Sequence, residues 1–342
     1  MSDIQKKERT PQTPPIIIPI NDLEIRPLFS VAIPVYNCYH YIELSLRSVL
    51  QQDLGPDKME IYVVDDGSTD GNVEELVKSI GGERVGYFRQ PSNVGSLRNF
   101  ETAINISKGY YIHLLHGDDE VKNGFYKEIE QLFSENPTVG AVFTEFEYID
   151  NVGIKIWNNE KVNSSRGIIE NWTIMIASKQ LLQPPAIVVK RSVYEKLGSF
   201  YAVHYGEDWE MWVRIALNYP VAYSPKNLAR YRVHKANISS RSLKSGQNLK
   251  DIKKVISIIY SNMPVNIRTK INRQSRKNFA EYYAKISHLL YHENNDYRGA
   301  LIQANGALLL YVNKVTLQNS LKLYFKVIIG YGRIKNLLYK NK

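Results

Sequence analysis

Two adjacent carboxylates, Asp118 and Asp119, close the stretch Leu114-Leu115-His116-Gly117-Asp118-Asp119. Side by side they repel, and a cation relieves the repulsion. Oxygen ligands suit a hard divalent ion such as Mg²⁺ or Mn²⁺. A solvated turn, with Asp118 or Asp119 as a helix N-cap, uses the same residue types with no metal. Three more sites carry groups able to do chemistry: Asp65-Asp66, Glu207-Asp208 and His234. A carboxylate can take the proton of an attacking hydroxyl. A neutral imidazole can complete a mostly oxygen-ligated metal site. For His234 the alternative is a hydrogen-bonded core histidine at a strand end.

The elements that must hold these groups follow from periodicity. Gly109 to Leu114 is short, aromatic and β-branched, which predicts a buried strand running into Asp118-Asp119. Ser30–Tyr36, Glu60–Val64 and Arg84–Phe88 predict three earlier strands, with helices over about Tyr41–Gln51, Asn72–Ile80 and Val94–Ser107. This alternation is that of a doubly wound α/β sheet, in which ligands bind beyond the carboxyl ends of the strands. Further strands are expected over Val139–Ile149, Gln183–Val189 and Leu228–His234, and 150–168 as an irregular loop. Helices are expected over Asn123–Glu135, Arg191–Leu197 and Trp209–Leu217. No G-x-G-x-x-G follows the first strand and no G-x-x-x-x-G-K-[ST] occurs. That argues against dinucleotide and P-loop phosphate cradles, and leaves phosphate charge to be met by a metal ion.

The 342 residues, 44% hydrophobic, suffice for a large domain and a smaller one. The expected division is a flexible proline-rich arm (1–27), an α/β domain (28–240) and a basic helical region (241–342). Helices in that region are predicted near Leu249–Ser261, Ile267–His292, Arg298–Tyr311 and Leu317–Leu338. Residues 241–342 carry 19 Lys and Arg against 4 Asp and Glu, whereas residues 1–240 carry 25 against 30. Such a basic segment suits an anionic membrane surface or nucleic acid. No nucleic-acid motif accompanies it, so no nucleic acid is expected. Leu321 to Lys342 mixes Leu, Ile, Phe and Tyr with lysines, as an interfacial helix does. A packed basic helix with a solvated face has the same composition. No apolar run reaches the roughly 20 residues that span a bilayer, and no signal-peptide pattern opens the chain. Cys38 is the single cysteine. The expectation is a cytoplasmic protein, peripheral on the inner face of the plasma membrane.

Ser30-Val-Ala-Ile-Pro34-Val-Tyr36-Asn37, Val63-Val-Asp65-Asp66-Gly-Ser-Thr-Asp70, Leu114-Leu-His-Gly-Asp118-Asp119 and Gly206-Glu207-Asp208-Trp209 stand in the order seen in family 2 glycosyltransferases. The chain strongly resembles that family over about residues 29–240. The resemblance implies a GT-A, Rossmann-like mixed sheet and a metal-dependent inverting transfer from a nucleotide sugar, a UDP-sugar above all. The acceptor it implies is a glycan or lipid-linked acceptor of surface polysaccharide synthesis. Pro34 and Tyr36 would line the base pocket. Asp66 would accept from the base imide, with Asp65 beside it or capping the turn. Asp119 with Asp118 would hold Mn²⁺ or Mg²⁺, and Asp208 would be the general base. Tyr231-Arg232-Val233-His234 resembles the family's late Arg-x-His segment and offers His234 as a metal ligand.

Two departures stand out. His116 replaces the first Asp of the usual D-x-D, leaving it as ligand or packing group. In Asn93-Val-Gly95-Ser-Leu-Arg98-Asn99 the Arg-Asn pair comes two residues early, with Arg98 as the base-contacting candidate. Trp209 and Trp212 are core residues or a floor for the acceptor. Physically, one base suffices for inversion, and a metal stabilises a departing diphosphate without proton transfer. A sugar nucleotidyltransferase would carry an early glycine-rich phosphate loop, absent here. A non-catalytic carbohydrate-binding scaffold has no need of Asp66, Asp119 and Asp208 together.

Overall fold

The computed structural model describes residues 8–21, 25–235, 237–292 and 296–330. Two compact units divide the chain, Met1–Thr173 with Leu181–His234, and Ile174–Gln180 with Lys235–Lys342.

The first unit opens with β1 (Phe29–Val35), α1 (Tyr39–Leu50), β2 (Met59–Asp65), α2 (Val73–Gly81), β3 (Gly86–Arg89), α3 (Ser96–Ile106) and β4 (Tyr111–Leu114). These are β-α-β crossovers, and β1 pairs in parallel with both β2 and β4 while β2 pairs in parallel with β3. There follow β5 (Glu120–Val121), α4 (Phe125–Glu135), β6 (Ala141–Ile149), β7 (Lys155–Asn158), β8 (Gly167–Ile168), α5 (Trp172–Ser178, which belongs to the second unit from Ile174), β9 (Ile187–Lys190), α6 (Arg191–Leu197), α7 (Glu207–Asn218) and β10 (Val221–Arg232). The sheet order is β3-β2-β1-β4-β9-β6-β10-β5, with β7 on β6 and β8 on β10. Because β9 runs antiparallel to β4 and β6, the sheet is mixed, as the sequence led one to expect of this α/β unit.

β1 is buried along all seven residues, as a central strand covered on both faces must be. On one face Ile42, Leu46 and Val49 of α1, Val73 and Val77 of α2 and Phe125, Ile129 and Leu132 of α4 pack on Val31, Ile33, Ile61 and Val63. Each of these large apolar side chains contributes about 1.5–3 kcal/mol when fully buried. α2 starts where Asn72 accepts from the Glu75 amide, with Glu74 and Glu75 complementing the helix dipole.

Several stretches differ from the sequence reading: β5 and α5 were not expected, and the strand expected over Leu228–His234 runs from Val221 to Arg232. Residues 150–168, expected as loop, contain β7 and β8. β7 is exposed at all four positions and so has no burial alternation to read. The strand expected over Gln183–Val189 begins with a 3₁₀ turn at Pro184–Ala186 and becomes β9 only at Ile187. The arm expected to be flexible is, over residues 8–21, laid along the unit. Ile17 is fully buried, and Pro15 O and Pro11 O accept from Ser199 N and Ala202 N, both at 2.8 Å. Proline removes donors and limits chain entropy, so such a segment docks through its carbonyls.

The second unit is helical: α8 (Ile238–Ser245), α9 (Gln247–Asn262), α10 (Val265–His292), α11 (Tyr297–Leu310) and α12 (Lys314–Ile328). Leu290, Tyr291, Ala300, Ala304 and Leu323 form its apolar cluster. Buried Gln303 on α11 exchanges hydrogen bonds with buried Asn248 on α9 (3.0 and 2.9 Å) and donates to Leu243 O (2.6 Å). α8 was not expected; it is short and has little apolar content. The interfacial helix expected over Leu321–Lys342 lies beyond the described residues from 331 on. Among the described residues, no helix is long and apolar enough to cross a membrane.

Candidate active site

Parallel register brings the motif ends together. Val35 pairs with Asp65, and Ala32 with Leu114. Past the end of β4 the ladder continues as Leu115 N to Ala32 O (3.0 Å) and Gly117 N to Pro34 O (3.1 Å). Pro34-Val35-Tyr36 therefore lies between Asp65-Asp66 on one side and His116–Asp119 on the other. Glycine at position 117 avoids a clash, because a Cβ there would sit 2.8 Å from Cys38 Sγ and 3.1 Å from Val35 Cγ2.

His116, Asp118 and Asp119 each offer a ligand atom, and these atoms lie within 4.8 Å of one another. Asp119 is buried. Its Oδ1 accepts from Arg232 N at 2.8 Å, and its Oδ2 has no hydrogen-bond partner. Burial, and then the charge of Asp118, push its carboxyl well above the ordinary range. Asp118 is held the other way. Burial works to raise it, but a 2.9 Å hydrogen bond with His234 Nε2 and the nearby imidazoles leave it below its usual value. Burial lowers His116, against the pull of Asp118, which favours the neutral ligand form; its ring stacks on Phe100 at 5.1 Å. An orphaned buried carboxylate oxygen beside a neutral imidazole and a second carboxylate fits a divalent ion. His234, expected as a ligand, stands outside this group. Its Nε2 is spent on Asp118, and its ring lies 4.7 Å from that of Tyr41.

Arg232 is the strut of this corner, a role that composition does not announce. It is 1% exposed. Its guanidinium donates to Asp118 O (2.8 Å), to Asp150 O (2.9 Å) and to the Glu120 carboxylate, while its amide holds Asp119. A charged side chain that deep persists only when fully paired.

On the opposite side, Asp65 turns inward. It accepts from Ser68 N (2.8 Å), Tyr87 Oη (2.7 Å) and the Arg89 guanidinium. Asp66 clamps the loop before α3. Val94 N reaches Oδ1 at 2.7 Å, and Gly95 N and Asn93 Nδ2 reach Oδ2 at 2.9 and 2.8 Å. Burial raises its carboxyl, and the two amides oppose that. Both oxygens thus hold the loop that precedes α3. Arg98, expected at the base, instead binds Glu101 (2.6 Å) and Glu8 O (2.9 Å). Its early place in the loop puts it on the arm side of α3. Tyr36 is half-exposed at the end of β1.

α7 begins from Gly206 in the left-handed region (φ 87°), with Glu207 and Asp208 in its first turn. Asp208 Oδ1 accepts from Trp209 N at 2.7 Å. Glu207, Asp208 and Trp212 line a cavity of about 10 Å³, room for one water, together with His116 and Phe100. The Trp212 indole N–H has no hydrogen-bond partner. Trp209 is fully buried core. Glu210, not singled out from sequence, is buried and paired with Arg214 at 2.9 Å. His113, held by Tyr126 and Pro185 O (both 3.1 Å), is a core histidine that burial pushes down to about 3.

Residues 30–198 match the profile of the family described as Glycosyl transferase family 2. Among curated relatives, an uncharacterized protein of Mycobacterium tuberculosis is 26% identical over 255 residues, 68% of this chain and 75% of that one. The chondroitin synthase of Pasteurella multocida is 32% identical over 155 residues, 44% of this chain but only 16% of that synthase. The fold is similar to that of Staphylococcus aureus TarS 1–349 in complex with UDP-GlcNAc. TM-score is 0.65 at 15% identity, covering 89% of this chain and 91% of that one. It is also similar to the Pyrobaculum calidifontis mannosyltransferase PcManGT in complex with GDP-Man and Mn²⁺ (TM-score 0.56, 18% identity, 98% and 92% covered).

Proposed function

We propose a reaction on the premise that the chain belongs, through residues 30–198, to glycosyl transferase family 2 and is a glycosyltransferase. The reaction is transfer of a sugar, with inversion, from a nucleotide-diphosphate donor, a UDP-sugar, to a hydroxyl of a glycan or lipid-linked acceptor in surface polysaccharide synthesis. The observation that carries this reading is one shared site. His116 belongs to the cation-fitting group and also lines the cavity of Glu207 and Asp208. The TarS complex with UDP-GlcNAc and the chondroitin synthase support the donor and product class. PcManGT, with GDP-Man and Mn²⁺, supports the metal and keeps guanosine donors as the rival.

In this reading Asp119, Asp118 and His116 hold Mn²⁺ or Mg²⁺, with His234 and Arg232 orienting Asp118. The ion supplies positive charge to a departing diphosphate. Asp66 fixes the 93–95 loop, and with Pro34 and Tyr36 it shapes the nucleotide pocket. Asp208, in the first turn of α7, takes the acceptor hydroxyl proton. The acceptor oxygen then bonds to the anomeric carbon as the bond to the diphosphate breaks, so one carboxylate completes an inverting transfer. Glu207 orients the acceptor. The enzyme works at the cytoplasmic face of a membrane, which the basic helical unit meets.

The test is a panel of UDP- and GDP-sugars incubated with the protein in Mn²⁺ and in chelator. UDP-sugar hydrolysis that requires metal is expected. Asp208→Asn should lose about 10²–10⁴-fold in transfer while keeping UDP affinity, since it preserves shape and removes basicity. Equal turnover in chelator, turnover of GDP-sugars alone, or a fully active Asp208→Asn would overturn the reading.

A further inference from the structure

The helical unit carries a basic groove of about 540 Å³, lined by Lys270, Arg273 and Lys277 of α10 and by Tyr311, Asn313 and Lys314 at the start of α12. The three α10 cations share one helix face by their spacing. From Val265 to Ala280 that helix holds five Lys and Arg and no carboxylate. Glu281 is the one acidic lining residue, and it accepts from Asn313 Nδ2 at 2.7 Å. Arg273 donates only to the uncharged Tyr311 hydroxyl, at 3.2 Å. Lys270, Lys277 and Lys314 make no ion pair among the described residues. Like charges gathered around a concavity cost free energy until an anion enters. The amide dipoles at the α12 N-terminus add to the same positive field.

α12 has two apolar faces, and the unit's core uses one. Leu323 is buried, with Tyr324 and Val327 packed beside it. The other face presents Leu317, Leu321, Phe325 and Ile328, which are 44%, 56%, 63% and 82% exposed. At 100° per residue these four and Lys314 fall within one arc of the helix. The exposed stripe therefore starts at the groove. Leu309 and Val312, on either side of groove-lining residues, are also exposed.

We propose that this surface seats on an anionic phospholipid bilayer, the groove taking a lipid phosphate and the α12 stripe entering the acyl boundary. Charge complementarity selects the occupant. A second copy of this chain brings an equally basic surface, and a soluble phosphate leaves the stripe in water. An amphipathic helix flanked by lysines matches the interface of anionic lipid on both counts. The proposal rests on the functional reading above only in taking a membrane as partner, and it concerns residues that take no part in sugar transfer.

The test uses the full chain with phosphatidylcholine vesicles, with and without phosphatidylglycerol. Each Lys or Arg near an anionic surface is worth about 1 kcal/mol, about fivefold in partition. Lys270→Gln with Lys277→Gln should therefore weaken binding to the phosphatidylglycerol vesicles by about 25-fold. Lys250→Gln with Lys253→Gln, which removes the same charge from α9 outside the groove, should weaken it far less. Leu321→Ser with Phe325→Ser should abolish the fraction that resists high salt. These positions are exposed or at the groove edge, and unchanged helical circular dichroism will show that the variants fold. Metal-dependent UDP-sugar hydrolysis should be the same in all of them, which separates this outcome from failure of the enzymatic reading. Indifference to lipid charge, equal losses in the groove and control pairs, or a dimer lost in the stripe variant would overturn the proposal. So would calorimetric binding of inorganic phosphate without vesicle binding.

Discussion

Asp119→Asn should make the metal-free protein more stable and the metal-bound protein less so. Asn keeps the acceptor for Arg232 N and places an N–H₂ group where Oδ2 now lies buried and unpartnered beside Asp118. An unsatisfied buried acceptor costs about 1–3 kcal/mol, and more when it is charged. Its cost also depends on pH. Because the folded carboxyl is raised by burial and by Asp118, stability is present below the ordinary carboxylate range. It is lost as pH climbs through the raised value. At pH 8 in chelator a gain of about 1.5 kcal/mol is expected, or about 3–6 °C in Tm for a unit of this size. With Mn²⁺ at a hundred times its Kd the parent gains about 2.7 kcal/mol and the variant gains nothing. The two melting orders therefore cross. Scanning calorimetry in chelator and in Mn²⁺ with UDP reads both. If Asp119→Asn melts lower than the parent in chelator, the orphaned oxygen is not a liability held for a cation. If it keeps the Mn²⁺ shift, Asp119 is not a ligand.

Asp66→Ala should free the amides of Val94 and Gly95, seen as faster hydrogen exchange at those two positions, and weaken UDP binding. Unchanged exchange would mean that the loop is held by other contacts. Gly117→Ala should displace the Asp118-Asp119 turn by forcing a Cβ against Cys38 and Val35. A large loss of Mn²⁺ affinity with little change in Tm is expected, and Gly117→Ala with Cys38→Ala should recover part of it. Arg232→Met should destabilise by about 1–3 kcal/mol in urea unfolding, because it leaves Glu120 with Arg230 alone and removes the guanidinium donors to Asp118 O and Asp150 O. A cost under about 1 kcal/mol would show that water replaces the guanidinium.

The parallel core of the sheet, β1 to β4, was legible because its strands are short apolar runs, a pattern local enough to read by periodicity. Asp118-Asp119 and Asp208 were legible as carboxylates at element ends. What the sequence hid is who already holds whom. Asp66 looks available until the amides of residues 93–95, nearly thirty positions on, are seen to occupy both its oxygens. Arg98 looks free for a nucleotide, and the structure shows it donating to Glu8 O of the arm. His116 and His234 both look like ligands, and the structure adds a hydrogen bond between Asp118 and His234, 116 positions later. The edges of α9, α10 and α11 were readable to within two residues, but α8 and the two-faced character of α12 were not. Composition gives the apolar residues of Leu317–Ile328, and only the packing of Leu323 tells which face the core has claimed. In each case the missing information is a long-range partner. A partner that distant leaves no local period, so burial and hydrogen bonding must be seen before a polar residue can be counted as available for chemistry.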